Sequence, residues 1–408
     1  MLIIIIELIS IFLLISFLTK KGYDKLKKYI FFAFIIQFFI LIIYRLELSY
    51  IGREVYYSDA EMYWNATLDL LDGRVMFAYN MGYIYYSYLI QLTSPFIWAG
   101  FINISNLLLI DFIILFLTYL LIENGVCKKN IYFFVILTAT NPLIVYSLIR
   151  NLKDVLFLFY ATAIFLLFYR ISKGNKLYKK IINYFMLLLV TILITGIRPW
   201  GFLISIVIFS YLYLKQLFSD FKYRPIHFII KIISGVIIFA IVLYGMFKLG
   251  YIDTLNMWIP IVLKNALQTN ITSLILAPFK ILIGPGPIRP MFGNIYFIHY
   301  TICGNIFSSI GALLWWFVLG ILIANLMVNK KYKFKIISKM FFIMFALFIG
   351  IYSLQYGGSL ELRFRGIIYI LTSSLILSLV EFKINKKILS YSLLNIFIIF
   401  IGGILFGV

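Results

Sequence analysis

The sequence predicts an all-α integral membrane protein with about twelve transmembrane helices and two long external loops carrying interfacial or re-entrant helices, in one polytopic domain over residues 1–408. Three observations lead there. Hydrophobic residues make up 63% of the chain and charged residues only 12%, with a mean hydropathy of +1.03; soluble globular chains do not have that balance. Apolar runs of roughly 17–25 residues recur along it, each matching a bilayer core. The polar loops between the runs alternate in chemistry: lysine-rich, then arginine- and carboxylate-bearing.

The apolar runs place spans near 3–18, 28–46, 103–122, 131–148, 155–170, 181–195, 200–217, 227–248, 306–328, 338–355, 366–381 and 387–406. The first run begins at Met1 without a basic leader or a small-residue cleavage site, and is read as a retained helix. Alternation then puts one set of loops on a single face: Lys20 to Lys28, Lys128 and Lys129, Arg170 to Lys180, Lys215 to Arg224, Lys330 to Lys339, and Lys383 to Lys387. All are basic, so this face is cytoplasmic by the positive-inside rule. Loops 47–102 and 249–305 each begin and end on the other face, yet each holds an apolar piece, near 82–99 and 270–284. A full crossing by either would break the alternation, so both are expected to be interfacial or re-entrant, lining protein or water rather than lipid. Cys127 and Cys303 fall on opposite faces, so no disulfide framework is expected.

The formal net charge is +21. Because most of it lies in juxtamembrane loops, the partner it implies is membrane lipid and not nucleic acid. The external face is different. It holds Arg45, Arg53, Arg74, Arg150, Arg198, Arg289, Arg363 and Arg365, together with most of the carboxylates. Arginine binds phosphate bidentately and stays charged when partly buried, which points to a phosphate-bearing ligand on that face.

Three segments carry the candidate chemistry. The first loop runs from Ser58 to Arg74. Ser58 is placed as an N-cap with Glu61 as its capping-box partner, Tyr63, Ala66 and Leu70 share one face, and Gly73 is a C-cap. Asp59 in the first turn can serve as a general base or as a ligand for a divalent cation; Asp59 and Glu61 can also simply complement the helix dipole. Tyr56, Tyr57, Tyr63 and Trp64 offer rings for a sugar to stack on. The second segment is the turn from Asn141-Pro142 to Asp154. There Arg150 and Asp154 are spaced to pair on a helix, and Arg150 or Lys153 can face a phosphate. The third comprises arginines at Gly- and Pro-rich helix ends: Arg198, Arg289, and the Arg363/Arg365 pair. In extended backbone those two would face one side, and headgroup snorkelling is the plainer role for any single one. Asp111, inside a span, is a candidate by its position. His227 and His299 are the only histidines, so no His/Cys metal cluster is expected.

In this order the segments resemble the polytopic GT-C glycosyltransferases that use polyprenyl-phosphate-linked donors. The acidic first-loop motif is matched by Asp59, Tyr63 and Ala66, with Leu70 and Gly73 slightly shifted. A later turn is matched by Asn141, Pro142, Ser147 and Asp154, and a late segment by Arg363, Phe364 and Arg365. Ile367 and Ile368 stand where the family carries prolines, and the second carboxylate of its acidic pair is displaced to Glu61. Length, span count and the two long loops also resemble bacterial O-antigen and capsule repeat-unit polymerases. The resemblance implies an enzyme of the bacterial inner membrane whose active site faces the exterior. It would move a sugar or oligosaccharide from an undecaprenyl-(pyro)phosphate donor to a glycan acceptor. Asp59 would be the base, with Glu61 and Asp154 as the accompanying carboxylates. Arg198, Arg363 and Arg365 would hold the phosphate, with Arg150, Lys153 and Arg289 beside them. The rival class is a lipid-linked oligosaccharide flippase. It needs ionisable groups deep in the helices, where the sequence offers little beyond Glu7 and Asp111.

Overall fold

The computed structural model describes residues 1–74, 80–174, 177–223, 271–284, 286–288, 301–329, 332, 335–356 and 362–405, and scattered positions between 229 and 264. Among these residues all regular structure is helical. The helices are α1 (Leu2–Lys20), α2 (Leu26–Tyr50), α3 (Asp59–Leu71), α4 (Met81–Leu92), α5 (Ala99–Glu123), α6 (Lys128–Thr140), α7 (Pro142–Ile149), α8 (Asp154–Lys173), α9 (Leu177–Ile197), α10 (Gly201–Tyr223), α11 (Ile271–Ile283), α12 (Ile302–Val328), α13 (Ile336–Tyr356), α14 (Leu362–Leu379) and α15 (Lys386–Leu405). Eight are long and apolar enough to cross a membrane, or nine if the bent α6–α7 pair is one crossing. That is fewer than the twelve expected. The expected span 227–248 lies, apart from Ile229, Ile233 and Tyr244, outside the described residues. In α10 and α14 the stretches with described side chains, Gly201–Tyr211 and Phe364–Leu379, do not by themselves reach the length of a crossing.

α5 is the axis of the bundle. It is apolar all round rather than on one stripe, and it is buried on nearly every face. That is the pattern of a helix surrounded by others; α1, α2, α4, α6, α7, α8 and α14 all pack on it. α12 packs on α15 and α7, and α8 on α9. On the outer helices the large side chains face outward: Phe12 in α1, Phe31 in α2, Phe185 in α9 and Phe397 in α15 are each more than half exposed. This is the inverse of a soluble surface and suits contact with lipid.

The expected span 131–148 is instead broken, with α6 and α7 meeting at 54°. Pro142 lacks an N–H and cannot continue the helix that precedes it. A break at apolar depth must satisfy its own backbone groups, and Asn141 does much of that. Its side chain accepts from Leu143 N (3.0 Å) and Ile144 N (3.2 Å) and donates to Gly311 O of α12 (3.1 Å). From α2, Gln37 Nε2 donates to Ala139 O (3.1 Å) and to Asp111 Oδ1 (3.1 Å). A Cβ at Gly311 would stand 2.6 Å from Asn141 Oδ1 and would also meet the Leu143 backbone. Alanine normally stabilises a helix interior over glycine by about 1 kcal/mol. Gly311→Ala is expected to do the opposite and destabilise the protein by ~1–3 kcal/mol through overpacking. The midpoint of thermal unfolding in detergent reads the sign; a rise would refute the close approach of α7 to α12.

Candidate functional site

The motif segments converge at the arginine-bearing end of the bundle. Asp59 opens α3 as its first residue. Ser58 is the N-cap by position, but its side chain makes no capping bond, and its φ of 73° is left-handed. The expected capping box is absent, because Glu61 Oε1 accepts from Arg53 (3.5 Å) and not from Ser58 N. A serine held in that backbone region carries strain of ~1–3 kcal/mol, and such strain concentrates at functional sites. The other end of α3 is as expected. Gly73, at φ 77°, donates to Leu70 O (3.1 Å) and Arg74 N donates to Asp69 O (2.8 Å), a Schellman closure. Tyr63 and Ala66 are buried and Leu70 is half-buried.

Asp59 and Tyr63 are one turn apart on the same helix face. Lys153 Nζ lies 5.6 Å from the centre of the Tyr63 ring, which brings the first-loop helix to the second motif. That junction is fixed from below. Asn80 Nδ2 donates to the Tyr63 hydroxyl (2.9 Å), the Tyr83 hydroxyl donates to Asn151 Oδ1 (3.0 Å), and Asn106 Nδ2 donates to Arg150 O (2.7 Å). Burial holds the Tyr83 phenol above its ordinary value, so it stays a donor. Tyr56 and Tyr57 pack edge to face 5.0 Å apart. Tyr57 is exposed and the Arg53 guanidinium sits 3.5 Å over its ring. Of the four aromatics expected to offer stacking faces, Tyr63 and Trp64 are instead core residues.

The Arg150–Asp154 pairing is corrected. Arg150 ends α7 with extended ψ, so it shares no helix with Asp154; it is buried, its guanidinium 5.8 Å from the Tyr146 ring. Asp154, the first residue of α8, instead accepts from Arg198 NH2 in the turn after α9. Side-chain exposures of 5% for Arg198 and 1% for Asp154 make this a buried ion pair. The Arg198 guanidinium lies 5.4 Å from the rings of Phe157 and Phe364. Two close contacts aim this corner. A Cβ at Gly82 would stand 2.9 Å from the Gly196 carbonyl carbon, and one at Gly366 would stand 2.5 Å from Ser147 Oγ. α4 thereby docks on the end of α9, and the start of α14 docks on α7.

Arg363 and Arg365 stand on helical backbone, not the extended strand in which they would face one side, since α14 begins at Leu362. The Arg363 side chain and all of Arg289 lie outside the described residues. Arg365 is buried and donates to Lys280 O of α11. It is one of four side chains that close the end of that helix. Trp315 Nε1 donates to Leu282 O (2.9 Å), Trp316 Nε1 to Ile283 O (2.6 Å) and the Tyr369 hydroxyl to Gly284 O (3.0 Å). The last carbonyls of a helix have no partner within it, and here α12 and α14 supply donors. Trp315 lies about 20 Å along α12 from its first residue, at ~1.5 Å per residue. α11 therefore ends beside the middle of a long apolar helix.

Sequence reasoning missed Tyr83, Asn106, Asn151 and Gln37. For Tyr83, Asn106 and Gln37 the one signal was polarity inside apolar runs; Asn151 lay in the second segment but was given no role. No group of three or more His, Cys, Asp or Glu side chains suited to a metal occurs among the described residues, and both cysteines are free thiols. Fold and charge distribution together define an all-helical, multi-pass membrane protein with a motif-bearing polar end. Comparison with protein-family models, curated proteins and solved structures finds no match to the chain.

Proposed function

We propose that the chain is a membrane glycosyltransferase that moves a sugar or oligosaccharide from an undecaprenyl-(pyro)phosphate donor to a surface-glycan acceptor, as in O-antigen or capsule polymerisation, at the arginine-bearing, outward-facing end. The observation that carries this reading is the meeting of three sequence motifs at one corner: Lys153 over Tyr63 of α3, and Asp154 bound to Arg198 beside Phe364. In this reading the acceptor hydroxyl attacks the anomeric carbon and Asp59 takes its proton. The anomeric C–O bond to phosphate breaks, and the phosphate leaves as an anion. Lys153 and Arg150 face the developing charge, where fixed cations act most strongly; Arg363 is assigned to the same anion from its place in the sequence motif alone. Asp154 holds Arg198 in place, and Arg365 positions α11. In this reading α4 and α11 are the interfacial or re-entrant elements of the loops 47–102 and 249–305.

A flippase is the second reading, favoured by the α6–α7 break and by the α11 end beside the middle of α12, since interrupted helices at mid-depth mark transporter sites. The test is purified protein in proteoliposomes with a fluorescent sugar on undecaprenyl pyrophosphate and an oligosaccharide acceptor. The expected result is release of undecaprenyl pyrophosphate with growth of the acceptor. Movement of intact donor between leaflets without bond cleavage would replace the enzyme with the flippase.

A further inference from the structure

We propose that the trough between α1 and α2, floored by α5, binds an anionic membrane lipid, with its phosphate on Lys27 and Lys28 and one acyl chain running inward along Phe12, Phe31 and Phe34. The inference uses only the membrane-protein reading and does not depend on the transferase assignment.

The trough exists because α1 is fastened to α5 and its flanking loop rather than to α2. The Met1 ammonium donates to Thr93 O (2.7 Å) and Ser94 Oγ (3.1 Å). Ser105 Oγ of α5 donates to Glu7 Oε1 (2.7 Å). At the other end Lys21 Nζ meets Glu123 Oε1 (2.6 Å). Tied at both ends and in between, α1 follows α5 and parts from α2, leaving a cleft of about 680 Å³. Its walls are almost wholly apolar, and Phe12 and Phe31 are exposed along it.

Charge and depth select the occupant. Lys27 and Lys28 line the mouth and are exposed, and among the described residues neither has an ion-pair partner. A second groove of about 570 Å³ lies between α2 and α5 at the arginine-bearing end. Its two cations are already matched, Arg45 by Glu54 (3.1 Å) and Arg53 by Glu61 (3.5 Å). Of these two grooves, the lysine trough is the one that offers uncompensated positive charge to a headgroup among the described residues. Its floor reaches Asp111, which is bound to Gln37. Gln37 lies about 15 Å along α2 from Lys27 at ~1.5 Å per residue. That is half of a hydrocarbon core of about 30 Å. The trough is thus one leaflet deep, with cations at the interface and a polar stop at mid-depth, which fits a phospholipid of the lysine-side leaflet.

The experiment is native mass spectrometry of the purified full chain in detergent, titrated with phosphatidylglycerol or with phosphatidylcholine of the same acyl chains. Wild type is expected to retain phosphatidylglycerol preferentially. Lys27→Gln with Lys28→Gln is expected to weaken that binding roughly thirtyfold, the effect of two juxtamembrane charges, leaving phosphatidylcholine unchanged. Lys20, Lys21 and Lys25 still set the topology in this variant. Ser16→Trp, at an exposed trough position, is expected to fill the cleft and reduce both lipids with an unchanged unfolding midpoint. Equal retention of the two lipids by wild type, or a preference untouched by either variant, would mean annular contact only and overturn the site.

Discussion

Asp59→Asn is expected to lower sugar transfer by about 10²–10⁴-fold, the contribution of a positioned general base, while the protein inserts and unfolds as wild type does. The two halves of this expectation have separate causes. Asparagine keeps the shape of the side chain and its place at the first turn of α3, but cannot accept the acceptor's proton. Stability should change little, because Asp59 is only partly buried and its favourable interaction with the helix dipole is worth at most about 1 kcal/mol. Asp59→Glu retains the carboxylate on a longer arm and should recover part of the rate. The measurement is donor turnover in proteoliposomes at matched protein levels, with the unfolding midpoint taken on the same samples. Full activity in Asp59→Asn would sink the base assignment. Equal loss of activity and of stability would assign Asp59 to the helix cap instead.

The membrane character was legible because it rests on composition and run length, and neither depends on tertiary contacts. The boundaries of α5, α8 and α12 follow the apolar runs closely for the same reason. The break at Asn141-Pro142 carried a turn signal, but the apolar run on either side made residues 131–148 read as one continuous span. Partners far along the chain, Gln37 of α2 and Gly311 of α12, show that the break is buried and satisfied within the bundle. The site shows the same division. Tyr63 and Ala66 share the buried face of α3 and Gly73 closes that helix, as local pattern put them. The partners do not follow local pattern, because pairing across a bundle depends on which helix ends meet. Spacing offered Arg150 to Asp154, but the α7–α8 turn carries Arg150 off the helix, and the Gly82–Gly196 contact fixes the end of α9, from which Arg198 reaches Asp154. Likewise the Arg363-Phe364-Arg365 segment looked like a loop clamp. Helix α14 begins before it and turns Arg365 inward, onto the end of α11.

Removal of either member of the Asp154–Arg198 pair is expected to destabilise the protein by ~3–5 kcal/mol, the usual effect of stranding one charge of a buried pair. Both side chains are almost fully withdrawn from solvent, and Phe157 and Phe364 flank the guanidinium, so water cannot readily replace the lost partner. Asp154 also begins α8, where the helix dipole favours its negative charge; reversal or loss there weakens both interactions together. Asp154→Leu and Arg198→Met should therefore each lower the unfolding midpoint in detergent steeply. The double variant should be less damaged than the sum of the two, with a coupling energy of roughly 0.5–3 kcal/mol as for residues in direct contact. Strict additivity would mean that the two side chains act on separate partners. The pair also bears on function. If Asp154 serves to hold Arg198 beside the substrate phosphate, the double variant should regain stability without regaining transfer activity. Because Trp200 packs against Phe157 (4.6 Å between ring centres) directly beside the pair, its fluorescence can follow this corner while turnover is measured on the same preparation.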